Sequence, residues 1–132
     1  MKTMKKILVL ENPEKHYAYP GTSIIADKVK IVAEASGWET ISVYYVPYAD
    51  IRLERGDISL VIVHQELDMD ISELRKNHPQ IKCAGYSAAV CETGDREIYE
   101  YFRKQYDFVL ETIIEGLPPI LKSLEEELGR QT

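Results

Sequence analysis

At 132 residues the chain has the size of one ordinary domain, and a single domain spanning residues 1–132 is expected. It is 45% hydrophobic, with nine Tyr, two Phe and one Trp, enough to fill a core and too much for a disordered chain. Sixteen Lys+Arg against twenty-two Asp+Glu leave a net charge of −6, a field that repels nucleic acid and anionic membrane alike, so neither is expected as a partner.

The basic start Met1 to Lys6 leads into an apolar run of four residues, Ile7 to Leu10, shorter than a signal-peptide core and far short of a membrane span. That run reads as the first strand. Ser23 to Ser36 comes next as a helix, with Ile24, Ile25, Val29, Val32 and Ala33 at helical spacing and Gly37 where a left-handed cap belongs. A second strand is expected over Ile41 to Val46. Tyr48 to Gly56, after Pro47, has few apolar positions and reads as a weak helix or an irregular turn. Ile58 to Val63 is the third strand. Asp70 with Glu73 forms a capping-box pattern for a short helix that Pro79 ends. Ile81 to Tyr86 is the fourth strand, and Cys83 within it reads as core.

Cys83 and Cys91 form no C-x-x-C pair and have no His-rich surroundings, so no zinc knuckle is expected and reduced thiols in a cytosol are the default. A fourth helix opens at Thr93 or Asp95 and carries Ile98, Tyr101 and Phe102 on one face. Phe108 to Leu110 is the fifth strand. The last helix is expected after Gly116, with Pro118 in its first turn, Leu117, Leu121, Leu124 and Leu128 as its buried stripe, Glu125 to Glu127 in solvent and Gly129 as its end.

Apolar runs that alternate with amphipathic stretches are the written form of β-α-β units. The first, third and fifth runs are nearly continuous rather than alternating, as strands covered on both faces require. The expected class is therefore α/β: a flavodoxin-like, doubly wound three-layer sandwich with a five-stranded parallel sheet of order 2-1-3-4-5. In such sheets ligands sit outside the carboxyl ends of the strands, at the switch point between strands one and three. That rule selects Glu11 and Asn12, then His64, Gln65 and Glu66, then Ser87 and Ala88, and finally Glu111 and Thr112.

Ile7-Leu8-Val9-Leu10-Glu11-Asn12-Pro13 resembles the first strand and acidic turn of response-regulator receiver domains. The resemblance continues through Ser59 to His64, where the family's strand ends in its phosphorylated aspartate. It extends to Ile81 to Ala88, the strand ending in a hydroxyl, and to Tyr106 to Thr112, the strand that normally ends in Lys-Pro, and so implies one receiver-like domain. The family uses one carboxylate as phosphoryl acceptor, two acids to hold Mg²⁺, the hydroxyl to bind a phosphoryl oxygen and the lysine to pair with it.

This chain keeps Glu11 and Ser87 but has His64 at the acceptor position, Asn12 at the second acid and Glu111 at the lysine. Mg²⁺ prefers hard oxygen ligands, one or two of them carboxylates, and Glu111 would repel an incoming phosphate. The resemblance thus implies a degenerate phosphorylation pocket made of Glu11, Asn12, His64, Ser87 and Glu111, a pseudo-receiver of two-component signalling. No metal or cofactor is expected.

Two departures from the family reshape the site. Glu14 to Thr22 inserts His16, Tyr17, Tyr19 and Pro20-Gly21 before the first helix, and with Tyr44, Tyr45 and Tyr48 could wall the crevice. The stretch after strand three is also shorter than the family norm.

Ser87, His64 and Glu11 have the residue types of a nucleophile, base and orienter, but no nucleophile-elbow pattern surrounds Ser87. Pro20 to Ser23 could bind phosphate at a helix start, yet ordinary capping explains it. The expectation is a stand-alone cytoplasmic signalling module that is not an enzyme and works by protein–protein interaction. Its partner or a second copy would dock on the face of the fourth helix, fifth strand and fifth helix, through Tyr99, Tyr101, Phe102 and Tyr106. The alternatives are a small-molecule-binding protein or enzyme with a crevice around His64 and Glu11, and a carrier phosphorylated on His64.

Overall fold

A computed structural model describes residues 5–10, 24–43, 46–64, 71–86, 96–110 and 112–130. Five strands, β1 (Lys6–Leu10), β2 (Glu39–Val43), β3 (Leu60–His64), β4 (Lys82–Tyr86) and β5 (Phe108–Leu110), form one sheet of order β2-β1-β3-β4-β5. Every neighbouring pair is parallel. Between and after them run α1 (Ile24–Ala35), α2 (Val46–Leu53), α3 (Ser72–Asn77), α4 (Arg96–Gln105) and α5 (Ile113–Arg130). The expected doubly wound class and strand order are what the chain adopts.

The continuous apolar runs explain the layering. Ile7 to Leu10 and Leu60 to Val63 are all 0% exposed, because alternate side chains enter opposite layers. Ile7, Val9, Leu60, Ile62 and Ala84 pack with Val29 and Ala33 of α1 and Leu117, Ile120, Leu121 and Leu124 of α5. Leu8, Leu10, Val61, Val63 and Cys83 pack with Ala49 and Leu53 of α2, Ile71 and Leu74 around α3, and Tyr106.

α1 ends as its glycine predicts. Gly37 takes φ 81°, its N–H donates to the Glu34 carbonyl (3.0 Å), and the Trp38 N–H reaches the Ala33 carbonyl (2.8 Å), which is a Schellman cap. That cap turns Trp38 into the core, where its Nε1 donates to the Glu125 carboxylate on α5 at 2.8 Å. Glu125 also pairs with Lys5 at 3.5 Å. It is therefore not part of a simply solvated acidic face; a buried indole needs an acceptor, and Glu125 supplies it.

Several boundaries differ from the sequence expectation, each for a packing reason. The stretch after Pro47 is a helix, α2, because Ala49 and Leu53 share one face and bury; Gly56, at φ 73°, closes it through its N–H to the Leu53 carbonyl (3.0 Å). β2 begins at Glu39 and ends at Val43, earlier than expected, because Lys6 pairs with Glu39 in register with β1. The expected capping box pairs Glu73 with Asp70, which lies outside the described residues. Ile71 is the N-cap of α3, with no side-chain hydrogen bond, and burial of Ile71 and Leu74 holds the turn.

The largest difference is in α5, which begins a turn earlier than Gly116. The Gly116 N–H donates to the Thr112 carbonyl (3.1 Å), and Ile113 lies one turn before Leu117 on the buried stripe. Pro118 and Pro119 are thus inside the helix, at an interior cost of about 3 kcal/mol each on intrinsic propensity. The carbonyls they cannot pair belong to Ile114 and Glu115, both solvent-exposed residues, so water can satisfy them. Gly129 lies within the helix and is not its cap. Among the described residues no helix is long and apolar enough to cross a membrane.

Candidate functional site

The carboxyl ends of the central strands are level with one another. Leu10 at the end of β1 pairs with Val63, His64 at the end of β3 pairs with Tyr86, and Tyr86 pairs with Leu110 at the end of β5. The register therefore brings together the four strand ends at which the sequence-selected residues lie or which they succeed. His64 is the last residue of β3, the central strand of the sheet.

Glu11, Asn12, Ser87 and Glu111, the side chain of His64, the Glu14 to Thr22 segment, and Tyr44 and Tyr45 lie outside the described residues. Tyr48 is described and is 62% exposed on α2. Among the described residues no group of three or more His, Cys, Asp or Glu is placed to hold a metal ion.

The expected partner face is divided by the structure. Tyr99, Tyr101 and Phe102 belong to α4, with side chains outside the described residues. Tyr106, expected on that face, is only 6% exposed and packs in the layer of α2 and α3. It comes just after the last turn of α4, where the chain must dive toward β5, so its ring is drawn inward. Burial pushes its hydroxyl up to about 12, with Cys83 adding to the shift and Arg75 opposing it.

The amino ends of the strands hold polar clusters that sequence reasoning did not find. Asp57, in the turn before β3, accepts two hydrogen bonds from Arg52 (2.6 and 3.0 Å) and one from Lys6 Nζ (3.0 Å). The Arg52 fork holds the Asp57 carboxyl well below the usual carboxylate range, with Lys6 assisting against the opposing effect of burial. Asp107 accepts the Cys83 backbone N–H at 2.8 Å and an Arg75 bond at 3.2 Å, while Arg75 also donates to the Gln105 carbonyl. His78 Nε2 meets Asp50 Oδ1 at 2.7 Å, joining the end of α3 to α2.

Each of these contacts closes a junction between an element and its neighbour. No spacing signal could have found the long-range ones, because Lys6 and Asp57 are 51 positions apart and Arg75 and Asp107 are 32 apart; only the Arg52–Asp57 pair, 5 apart, is local. Cys83 is buried as expected, and desolvation pushes its thiol up to about 11, Arg75 opposing and Asp107 adding. It is an inert core thiol at neutral pH.

An open groove of about 760 Å³ also lies at this amino end, beneath β3 and β4, and not at the switch point.

A parallel sheet of order 2-1-3-4-5 with helices on both faces defines a receiver-like α/β fold. The chain is similar in structure to HP1043, an orphan response regulator of H. pylori, with a TM-score of 0.61 at 12% identity, over 96% of this chain and 98% of that one. It is also similar to the response regulator TrrA of Thermotoga maritima, determined in complex with Mg²⁺ and BeF, with a TM-score of 0.57 at 16% identity, over 97% and 99% of the two chains. No protein-family model matches the sequence, and no curated protein matches it. What is shared with these regulators is the fold.

Proposed function

We propose that this chain is an atypical receiver-like signalling module that works in the cytoplasm by protein–protein contact and without phosphoryl transfer to an aspartate. The observation that carries the reading is His64. It ends β3 at the centre of the sheet, the position at which the resembling family carries its acceptor carboxylate. An imidazole cannot form an acyl phosphate. Glu11 is the sole acid left of the Mg²⁺-binding pair, and Glu111 replaces the cation that would neutralise a phosphoryl group.

Signal then leaves through a surface. α4 offers Tyr99, Tyr101 and Phe102 within one stretch of helix, and a partner or a second copy of the chain is the proposed occupant. Tyr106 is not part of that surface, since it is buried in the layer of α2 and α3.

The test is incubation with acetyl phosphate and Mg²⁺, then intact-mass measurement. The mass is expected to stay unchanged, and beryllofluoride with Mg²⁺ is expected to leave the melting temperature where it was. A gain of one phosphoryl group would overturn the reading; if the added group is acid-labile and absent in His64→Ala, the chain is a phosphohistidine carrier instead. Tyr101→Ala with Phe102→Ala should weaken self-association or partner capture in sedimentation.

A further inference from the structure

We infer that the groove at the amino ends of β3 and β4 is a binding site for a small zwitterion with an apolar body, of the class of a short aliphatic peptide with free amino and carboxyl groups. The groove's volume, about 760 Å³, lies within the range of about 300–1,000 Å³ that ligand sites occupy. Its apolar lining comes from both core layers: Leu53, Ile58 and Ile81 on the side of α2 and α3, Leu128 on the side of α5. That gives an aliphatic body something to displace water from.

Two opposite charges, Lys82 and Glu127, line the same groove. Strand alternation sends Lys82 to the same face as Ala84, which is the α5 face and therefore that of Glu127. Neither side chain has a hydrogen bond or ion pair among the described residues, and they do not bridge each other. Asp57, Asp107, Asp50 and Glu125 are engaged elsewhere, and the exposed Glu54 and Glu126 do not line the groove.

A lone carboxylic acid would meet Glu127, and a lone amine would meet Lys82. A ligand carrying both charges satisfies both residues at once and leaves its aliphatic part for the floor. The groove is walled by fixed elements. His78, on its rim, is tied to Asp50 at 2.7 Å, and the Ile81 N–H is held by the His78 carbonyl at 3.2 Å. Binding there requires no remodelling of the turn. The site is remote from His64, so it stands or falls apart from the proposed signalling role.

The experiment is a titration of the dipeptide Leu-Leu into ¹⁵N-labelled protein, read by backbone amide shifts. Saturable shifts at Ser59, Ile81, Lys82 and Glu127 are expected. N-acetyl-Leu-Leu and Leu-leucinamide, each lacking one charge, should bind at least about tenfold more weakly, as loss of one charge-assisted contact implies. Glu127→Gln, on an exposed helix position, should lose the preference for the free amine, and Lys82→Met the preference for the free carboxylate. No movement of these amides at about 10 mM dipeptide, a concentration that would reveal even a millimolar Kd, overturns the proposal. Equal binding of the charge-blocked analogues, or a wild-type response in both variants, overturns it as well.

Discussion

The two layers that cover the sheet are built differently. On one face lie α1 and α5, of 12 and 18 residues, with long apolar stripes and a Trp38–Glu125 bond between them. On the other lie α2 and α3, of only 8 and 6 residues, which by themselves are too short to be stable helices in water. That second layer is held by polar ties at its margins: Arg52 to Asp57, His78 to Asp50, and Arg75 to Asp107. A long helix can thus be secured chiefly by apolar burial, whereas a one- or two-turn helix needs directional bonds at its ends.

Truncating equivalent core leucines gives the sharpest break of that comparison. Leu117→Ala on α5 should cost about 4 kcal/mol in urea denaturation, because a long helix packed along its length on the sheet and α1 cannot collapse into the void. Leu74→Ala on α3 should cost about 2 kcal/mol, since a six-residue helix can shift inward. Equal losses would mean that the two layers yield alike.

Next in size is Asp107→Ala. It leaves the Cys83 N–H and one Arg75 bond without their acceptor, and about 2 kcal/mol should be lost. Because Arg75 ties α3 to the end of α4, hydrogen exchange should accelerate in both helices ahead of α1. Trp38→Phe keeps most of the buried ring and removes the bond to Glu125, so about 1 kcal/mol is expected, with no effect on the thin layer. Exchange that rises uniformly over the molecule in either variant would show that the layers are not separable.

The smallest effect depends on pH. Asp57 is held well below its ordinary range in the folded protein, so its contribution is complete above the unfolded carboxylate value of about 3.9 and is lost as pH falls toward the folded value. Asp57→Asn should therefore be less stable than wild type by about 1 kcal/mol at pH 7. The difference should shrink as the pH is lowered from about 4 toward about 2. A gap independent of pH across that interval would mean that the Arg52 fork does not discriminate between the two protonation states.

Much of the fold is written locally. Ile7 to Leu10 and Leu60 to Val63 announce two-face burial by lacking polar alternation, and Gly37 announces the end of α1 because its φ suits few other residues. The chain positions of Glu11, His64, Ser87 and Glu111, at or just after the ends of strands, are legible in the same way, whereas a pocket formed by their side chains lies outside the described residues. Tyr106 escapes a local reading because the periodicity of α4 stops at Gln105, and the direction of the next ring is decided by the path to β5. The start of α5 escapes it too: Gly116 and Pro118 are strong local punctuation, and only the burial of Ile113 beside the sheet outweighs them.

The strands and the doubly wound class could be read from the amino-acid order, because apolar periodicity is a property of short windows. Tertiary structure alone decided which carboxylates would be held by which cations, how far α5 reaches, and which charges at the amino end of the sheet are left unpaired among the described residues. Those outcomes depend on register between segments tens of residues apart, and a contact of that kind has no local signature until the sheet has brought its two halves together.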